Sequence, residues 1–102
     1  MKTYIVYYMK PESFGRFNFG QEFPTVVDLH NTHKRVRLLV ANDQEDAFYQ
    51  MQGEVWSPNG EQRTKIKALG LQHTSMSVGD VLYERINNKY FVVAPCGFKE
   101  MN

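Results

Sequence analysis

Alternating hydrophobic and polar positions predict two strands in the first half of the chain. Residues 2–10 (KTYIVYYMK) are rich in Tyr, Ile and Val. Both faces of this segment are apolar, which is typical of a central strand that is covered on both sides. Residues 33–41 (HKRVRLLVA) predict a second strand, because Val36, Leu38 and Val40 share one face.

The second half of the chain predicts a β-hairpin. Residues 81–86 (VLYERI) and 89–94 (KYFVVA) each alternate, and Asn87-Asn88 separates them. Asn tolerates the positive φ of a two-residue type I′ turn, so we expect the two strands to pair across these residues. Residues 95–97 (PCG) then bend the chain before a short end.

Helical spacing predicts a first helix that begins at Asn42. Asn42 and Glu45 form a capping-box pattern, and the acidic residues that follow suit the positive end of the helix dipole. Residues 25–33 before it fit either a short helical turn or a connector. The apolar side chains that we expect to pack on the sheet are Ala47, Phe48, Met51 and Val55.

A second, shorter helix is predicted over residues 61–69. The preceding segment 57–61 (SPNGE) breaks the first helix. Ile66 and Leu69 point inward at helical spacing, and Gly70 suits the left-handed position that ends a helix.

Length and composition predict one folded domain over residues 1–102. The chain is 42% hydrophobic and 14% aromatic, which argues against intrinsic disorder. The elements together predict an α+β fold, with a small, mostly antiparallel sheet of about four strands and two helices packed on it. The formal net charge of +1 provides no global field toward nucleic acid or anionic lipid.

Cellular location is predicted from signals that the sequence lacks. The chain shows no targeting pattern and no apolar run long enough to span a bilayer, so we expect a cytoplasmic protein with no membrane partner. Its one cysteine excludes an intrachain disulfide. The oligomeric state stays open.

Three segments carry a resemblance to a known family. They are residues 73–82 (HTSMSVGDVL), residues 90–99 (YFVVAPCGFK) and, more loosely, residues 51–61 (MQGEVWSPNGE). The chain resembles the YodL-like domains, small modules that recur in phages, plasmids and bacterial genomes, often within large proteins of mobile elements. The resemblance implies a mobile-element or host-interaction setting, and it transfers no reaction, cofactor or catalytic residue.

The polar segment before the hairpin contains the residue types of a catalytic triad. His73, Ser75, Ser77 and Asp80 lie close together, and Cys96 follows the hairpin. No nucleophile elbow accompanies them, and hydroxyls equally suit turn amides, so we expect a polar loop site rather than a catalytic one. Cys96 follows an apolar strand and is predicted to be buried. The protein is therefore not expected to be an enzyme.

Metal binding and cofactor binding are not predicted. His30 and His33 are spaced three residues apart, but only Asp28 accompanies them as a nearby ligand type.

Residues 14–20 (FGRFNFG) favour nucleic-acid binding, because Arg16, Phe17 and Phe19 offer stacking and phosphate contact. Residues 33–37 (HKRVR) add two arginines, which are predicted to share one strand face. The alternative is that the phenylalanines of the region cover one face of the sheet: Phe14, Phe17, Phe19 and Phe23.

Trp56 favours protein binding, because it lies between a helix and a turn where full burial is not assured, and exposed Trp and Arg are typical interface anchors. The alternative is that Trp56 caps the core. We predict a non-catalytic binding module, an accessory protein of a phage, plasmid or other mobile element that binds a host or element protein. Single-stranded nucleic-acid binding is the second hypothesis, and an unrecognised enzyme using His73 or Cys96 is the third.

Overall fold

The computed structural model describes residues 1–17 and 21–102, and these form an α+β fold around one antiparallel sheet. The sheet has five strands in the order β2-β1-β3-β4-β5. The predicted class is confirmed, with one strand more than expected. The strands are β1 Lys2–Met9, β2 His33–Ala41, β3 Val81–Glu84, β4 Lys89–Val93 and β5 Phe98–Glu100.

Strand β1 is central, as the sequence predicts. Tyr4, Val6 and Tyr8 are fully buried on the face that the helices cover. The opposite face is covered only in part, because Ile5 and Tyr7 there are half-buried.

A β-bulge changes the facing of residues in β2. Val6 pairs with Arg37 and Tyr7 pairs with Arg35, so Val36 is the extra residue between them. The prediction that the two arginines share a face is wrong, because the bulge places Arg37 beside Val6 on the helical side and Arg35 beside Tyr7 on the other.

Because of the same bulge, the predicted apolar face of β2 is wrong. Val36 is buried, but Leu38 and Val40 are 43% and 47% exposed. Leu39 and Ala41 take the inward positions instead. A bulge shifts the alternation by one residue. A prediction that assumes strict alternation therefore assigns the residues beyond the bulge to the wrong face.

The predicted hairpin of β3 and β4 is confirmed, but its turn is longer than expected. Glu84 pairs with Lys89, which leaves a four-residue loop over 85–88. The Asn88 N–H donates to the Arg85 carbonyl at 3.2 Å, and Asn88 alone among the described non-glycine residues has a positive φ, 51°. A four-residue loop built on such a turn needs one left-handed residue rather than the two of a type I′ turn.

Strand β5 was not predicted. Phe98 pairs with Val93, so the chain folds back after the hairpin and adds a third antiparallel partner. The Ala94 N–H donates to the Gly97 carbonyl at 2.9 Å to close the turn. Gly97 has φ 85°, which glycine adopts without strain.

The first predicted helix is split in two, α3 (Gln44–Gln50) and α4 (Gly53–Trp56). Its N-cap is Asp43, one residue later than predicted, because the Asp43 side chain accepts from the Asp46 N–H at 2.9 Å. Gln52 is extended between the two pieces. Gly70 ends α5 with φ 76°, as predicted. The helices are α1 Phe14–Phe17, α2 Leu29–Thr32, α3 Gln44–Gln50, α4 Gly53–Trp56 and α5 Arg63–Ala68.

The core lies on both faces of the sheet, unequally. Helices α3 to α5 cover one face, here called the helical face, and close the main core. The opposite face has a small cluster of Leu29, Val81 and Val92, against which Phe23 and Met101 pack. The main core contains Tyr4, Val6, Tyr8, Val36, Leu39, Ala41, Ala47, Met51, Ile66, Leu71, Met76, Leu82 and Val93.

Candidate functional site

Asp80 organises the polar segment before β3. Its carboxylate is 0% exposed and accepts hydrogen bonds from the Met9 N–H, the Ser77 N–H and His73 Nε2, each at 2.8 Å. A buried carboxylate needs such donors to replace its lost hydration. Asp80 therefore ties the start of β3 to the end of β1.

His73 is held between two aromatic rings. Its imidazole stacks on Tyr8 with 4.5 Å between ring centroids and meets the edge of Phe14 at 5.5 Å. Nδ1 is buried and has no hydrogen-bond partner in the described part of the chain. The cavity beside the ring, about 170 Å³, is lined by Met9, Phe14, His73 and Ser77.

The two serines bond to the backbone rather than to the imidazole. The Ser75 hydroxyl accepts from the Gly53 N–H at 2.7 Å, which joins the segment to α4. The Ser77 hydroxyl donates to the Ser75 carbonyl at 3.1 Å. Through these hydrogen bonds, the polar segment before β3 connects the hairpin, β1 and α4 within the described residues.

Cys96 is exposed, so the prediction that it is buried is wrong. The apolar strand ends at Val93, and Cys96 lies in the turn that the Ala94 N–H and the Gly97 carbonyl close. The residues around the His73 imidazole do not include Cys96.

His33 is a buried polar contact and His30 is exposed. His33 Nε2 lies 2.7 Å from the Gly79 carbonyl, so it donates, and Nδ1 accepts from the Thr32 hydroxyl at 2.8 Å. Burial lowers the pKa of the His33 imidazole, against the smaller opposing effect of the Gly79 hydrogen bond and the Asp80 charge. No group of three metal-ligating side chains occurs in residues 1–17 and 21–102.

Glu84 is a second buried carboxylate, on the helical face. It accepts from the Tyr4 hydroxyl at 2.8 Å and from the Asn87 amide, and Lys2 lies 3.6 Å away. Burial alone would raise the pKa of Glu84, but these hydrogen bonds and the Lys2 charge outweigh it and lower the pKa. Burial and the Glu84 hydrogen bond raise the pKa of Tyr4.

Trp56 is half-buried and packs against the main core. Its indole N–H donates to the Thr74 carbonyl at 3.0 Å, and the Arg37 guanidinium lies 5.6 Å from the ring centroid. This placement agrees with the alternative in which Trp56 caps the core.

Among the aromatic residues of segment 14–20 that the structure describes, Phe14 is half-buried and Phe17 is buried. Phe17 is 1% exposed and lies against His33, so its ring is not available to a partner in this structure. Arg16 is exposed, pairs with Glu22 at 2.7 Å and lies over the Phe17 ring. Phe19 lies outside the described residues. For Phe17, the structure agrees with the alternative in which the phenylalanines cover the sheet.

Sequence reasoning missed an uncovered surface on the face of the sheet opposite the helices. Tyr83 and Tyr90 pair across β3 and β4 with 4.5 Å between ring centroids, and Tyr7 of β1 lies 6.4 Å from Tyr90. The surface, here called the open tyrosine face, consists of Ile5, Tyr7, Leu38, Val40, Tyr83 and Tyr90, all half-buried or exposed.

The open tyrosine face is only partly covered, because the segments that pack on this side of the sheet are centred on Val81 and Val92. Phe23 and Leu29 pack against Val81 and Val92, and Tyr7 and Tyr90 pack against the same cluster and stay half-buried. Alternation in the hairpin places Tyr83 and Tyr90 on one face, and that signal was available in the sequence. The missing information was how far the described segments cover that face.

Comparison of the chain with protein-family models, with curated proteins and with solved structures found no match. The resemblance to YodL-like domains therefore stays a prediction. No helix within the described ranges is both long and apolar enough to cross a membrane.

Proposed function

We propose that this protein is a non-catalytic binding domain and that its partner contacts the open tyrosine face. The observation that carries the proposal is the exposure of a contiguous apolar and aromatic surface on the sheet. Leu38 and Val40 are 43% and 47% exposed there, beside three half-buried tyrosines. A contiguous apolar surface of this kind typically marks a binding site, because leaving it in water is unfavourable.

A role without catalysis is supported by the internal use of the candidate chemical groups. His73 Nε2 faces the buried Asp80 carboxylate, and the Ser75 and Ser77 hydroxyls bond to backbone groups. Each of these contacts stabilises the polar segment before β3.

The setting proposed for this binding is a phage, plasmid or other mobile element, on the strength of the YodL-like resemblance of residues 73–99. The partner expected from the sequence is a host or element protein. Tyrosine and arginine are enriched at protein interfaces, and the exposed Leu38 and Val40 are compatible with such a partner.

The surface can be tested with two matched double variants. Leu38→Thr with Val40→Thr makes the open tyrosine face more polar and places β-branched side chains, which suit a strand, at both positions of β2. Val27→Thr with Val55→Thr makes the same type of change at exposed positions outside the face. Both variants should keep the wild-type urea midpoint.

The readout is recovery on the immobilised protein from a bacterial lysate, with bound protein and bound nucleic acid both quantified. We expect the face variant to lose the bound partner and the control variant to retain it. Equal recovery by the two variants would show that the open tyrosine face is not the contact surface.

A further inference from the structure

The tyrosines of the open tyrosine face form a row across three neighbouring strands. Tyr7, Tyr83 and Tyr90 come from β1, β3 and β4, and the Tyr90 ring neighbours both of the others, with its centroid 6.4 Å from that of Tyr7 and 4.5 Å from that of Tyr83. Aromatic rings on a sheet surface can stack on successive unpaired bases, and such stacking tolerates any base because each has an aromatic face.

The charged residues at the strand positions of this side of the sheet have one sign. Arg35 pairs with Tyr7 in the sheet register, and the Arg85 N–H donates to the Thr3 carbonyl one residue beyond the paired part of β3. Alternation continued from β2 and β3 therefore assigns both arginines to the side of the sheet that carries the open tyrosine face. The strand positions of that side carry no carboxylate: Thr3, Ile5, Tyr7, Met9, His33, Arg35, Leu38, Val40, Val81, Tyr83, Tyr90, Val92 and Lys99.

The cations of the helical side differ from Arg35 and Arg85, because two of them lie close to carboxylates. Lys2 lies 3.6 Å from Glu84, and Lys89 lies 3.7 Å from Glu100. Within the described ranges, Arg35 and Arg85 have no carboxylate within ion-pair distance. An anionic partner would thus find cations beside the tyrosines that are not already paired.

We propose that the partner of the open tyrosine face is single-stranded nucleic acid. Bases stack on Tyr7, Tyr83 and Tyr90, and phosphates lie near Arg35 and Arg85. This inference rests on the proposed function and departs from the protein partner expected from the sequence. A second copy of the chain is disfavoured, because two such faces would bring like charges together. A duplex is also disfavoured, because its bases are already stacked on each other.

Fluorescence anisotropy with labelled oligothymidylate and oligouridylate of about 15 nucleotides tests the inference on the full chain. We expect saturable binding at about 0.15 M salt, weaker binding of a duplex of the same length, and affinity that falls as salt rises. Absence of saturable binding to both single strands would overturn the inference.

Tyrosine variants test whether the oligonucleotides bind at the row of tyrosines. Tyr83→Leu keeps an apolar side chain but removes the ring, and should weaken binding roughly fivefold or more. Tyr83→Phe keeps the ring and should bind like wild type. Tyr49→Leu is the control, because Tyr49 is 63% exposed on α3, away from the face. Equal losses in Tyr83→Leu and Tyr49→Leu would overturn the inference.

Charge variants test the phosphate contacts. Arg35→Gln should reduce the slope of log affinity against log salt by about 0.7, the value for one phosphate contact to a single strand. Lys65→Gln on α5 is the matched control and should leave the slope unchanged. An unchanged slope in Arg35→Gln would contradict the assigned phosphate contact.

Failure of this inference is distinguishable from failure of the proposed function. If the oligonucleotides do not bind, but Leu38→Thr with Val40→Thr releases a captured protein, the partner class is wrong and the surface is right. If the oligonucleotides bind and the tyrosine and arginine variants have no effect, the surface itself is wrong.

Discussion

Replacement of the buried Asp80 carboxylate is expected to destabilise the fold strongly. Asp80 is 0% exposed, and Asp80→Ala removes the acceptor of three donors at once: the Met9 N–H, the Ser77 N–H and His73 Nε2. The small alanine side chain cannot replace the acceptor, and the Met9 amide lies at the end of the central strand.

The magnitude follows from the number of donors that are left without an acceptor. Each buried unsatisfied polar group costs about 1–3 kcal/mol, and effects within one network are not additive. We therefore expect Asp80→Ala to lower the free energy of unfolding by about 3–5 kcal/mol. This is a large part of the stability of a typical domain, about 5–15 kcal/mol.

Asp80→Asn is a second variant, with a smaller expected loss of stability. Asp80 Oδ2 accepts from both His73 and Ser77, while Oδ1 accepts from Met9. An asparagine whose oxygen occupies the Oδ2 position keeps two hydrogen bonds and turns its NH₂ toward the Met9 N–H. Because one donor is lost rather than three, the expected cost is about 1–3 kcal/mol.

Urea unfolding, followed by circular dichroism with a common slope, measures these differences. Ser77→Ala is the control, because its exposed hydroxyl hydrogen bond to the Ser75 carbonyl should contribute no more than about 1 kcal/mol. The assignment of Asp80 as the organising group would be refuted if Asp80→Ala cost no more than Ser77→Ala, or if Asp80→Asn cost as much as Asp80→Ala.

Three further predictions concern other parts of the chain. Cys96 is exposed, so it should react with a thiol reagent at similar rates in native and denatured protein; markedly slower native labelling would contradict its exposure. Burial lowers the pKa of His33 below its ordinary value of 6.5, so the unfolded state takes up the proton first as pH falls. The free energy of unfolding should therefore decrease as pH falls below about 6.5, and the decrease should be shallower in His33→Gln, as measured by urea midpoints; equal slopes would exclude His33 as the cause. Gly79→Ala should destabilise more than Gly70→Ala, because both glycines have positive φ but only at Gly79 would an added Cβ meet the Met9 side chain, 2.6 Å from Sδ; equal unfolding free energies for the two variants would contradict this packing.

Local sequence patterns were sufficient to predict the main elements. The alternation of residues 2–10 and 33–41 predicted β1 and β2, and the hairpin around Asn88 was also predicted. Gly70 predicted the end of α5. These features depend on interactions between residues near each other in the chain, such as turn geometry and alternation along one strand, so a single sequence carries them.

The tertiary structure decided which faces are covered and which polar groups meet. The extra residue Val36 reversed the facing of Leu38 and Val40, and a bulge of this kind depends on pairing with another strand rather than on local pattern. Asp80 meets the Met9 amide from 71 positions away, which no local spacing encodes. Alternation shows that Tyr83 and Tyr90 share a side of the sheet, but only the packing of distant segments against Val81 and Val92 decides that these two rings stay partly exposed.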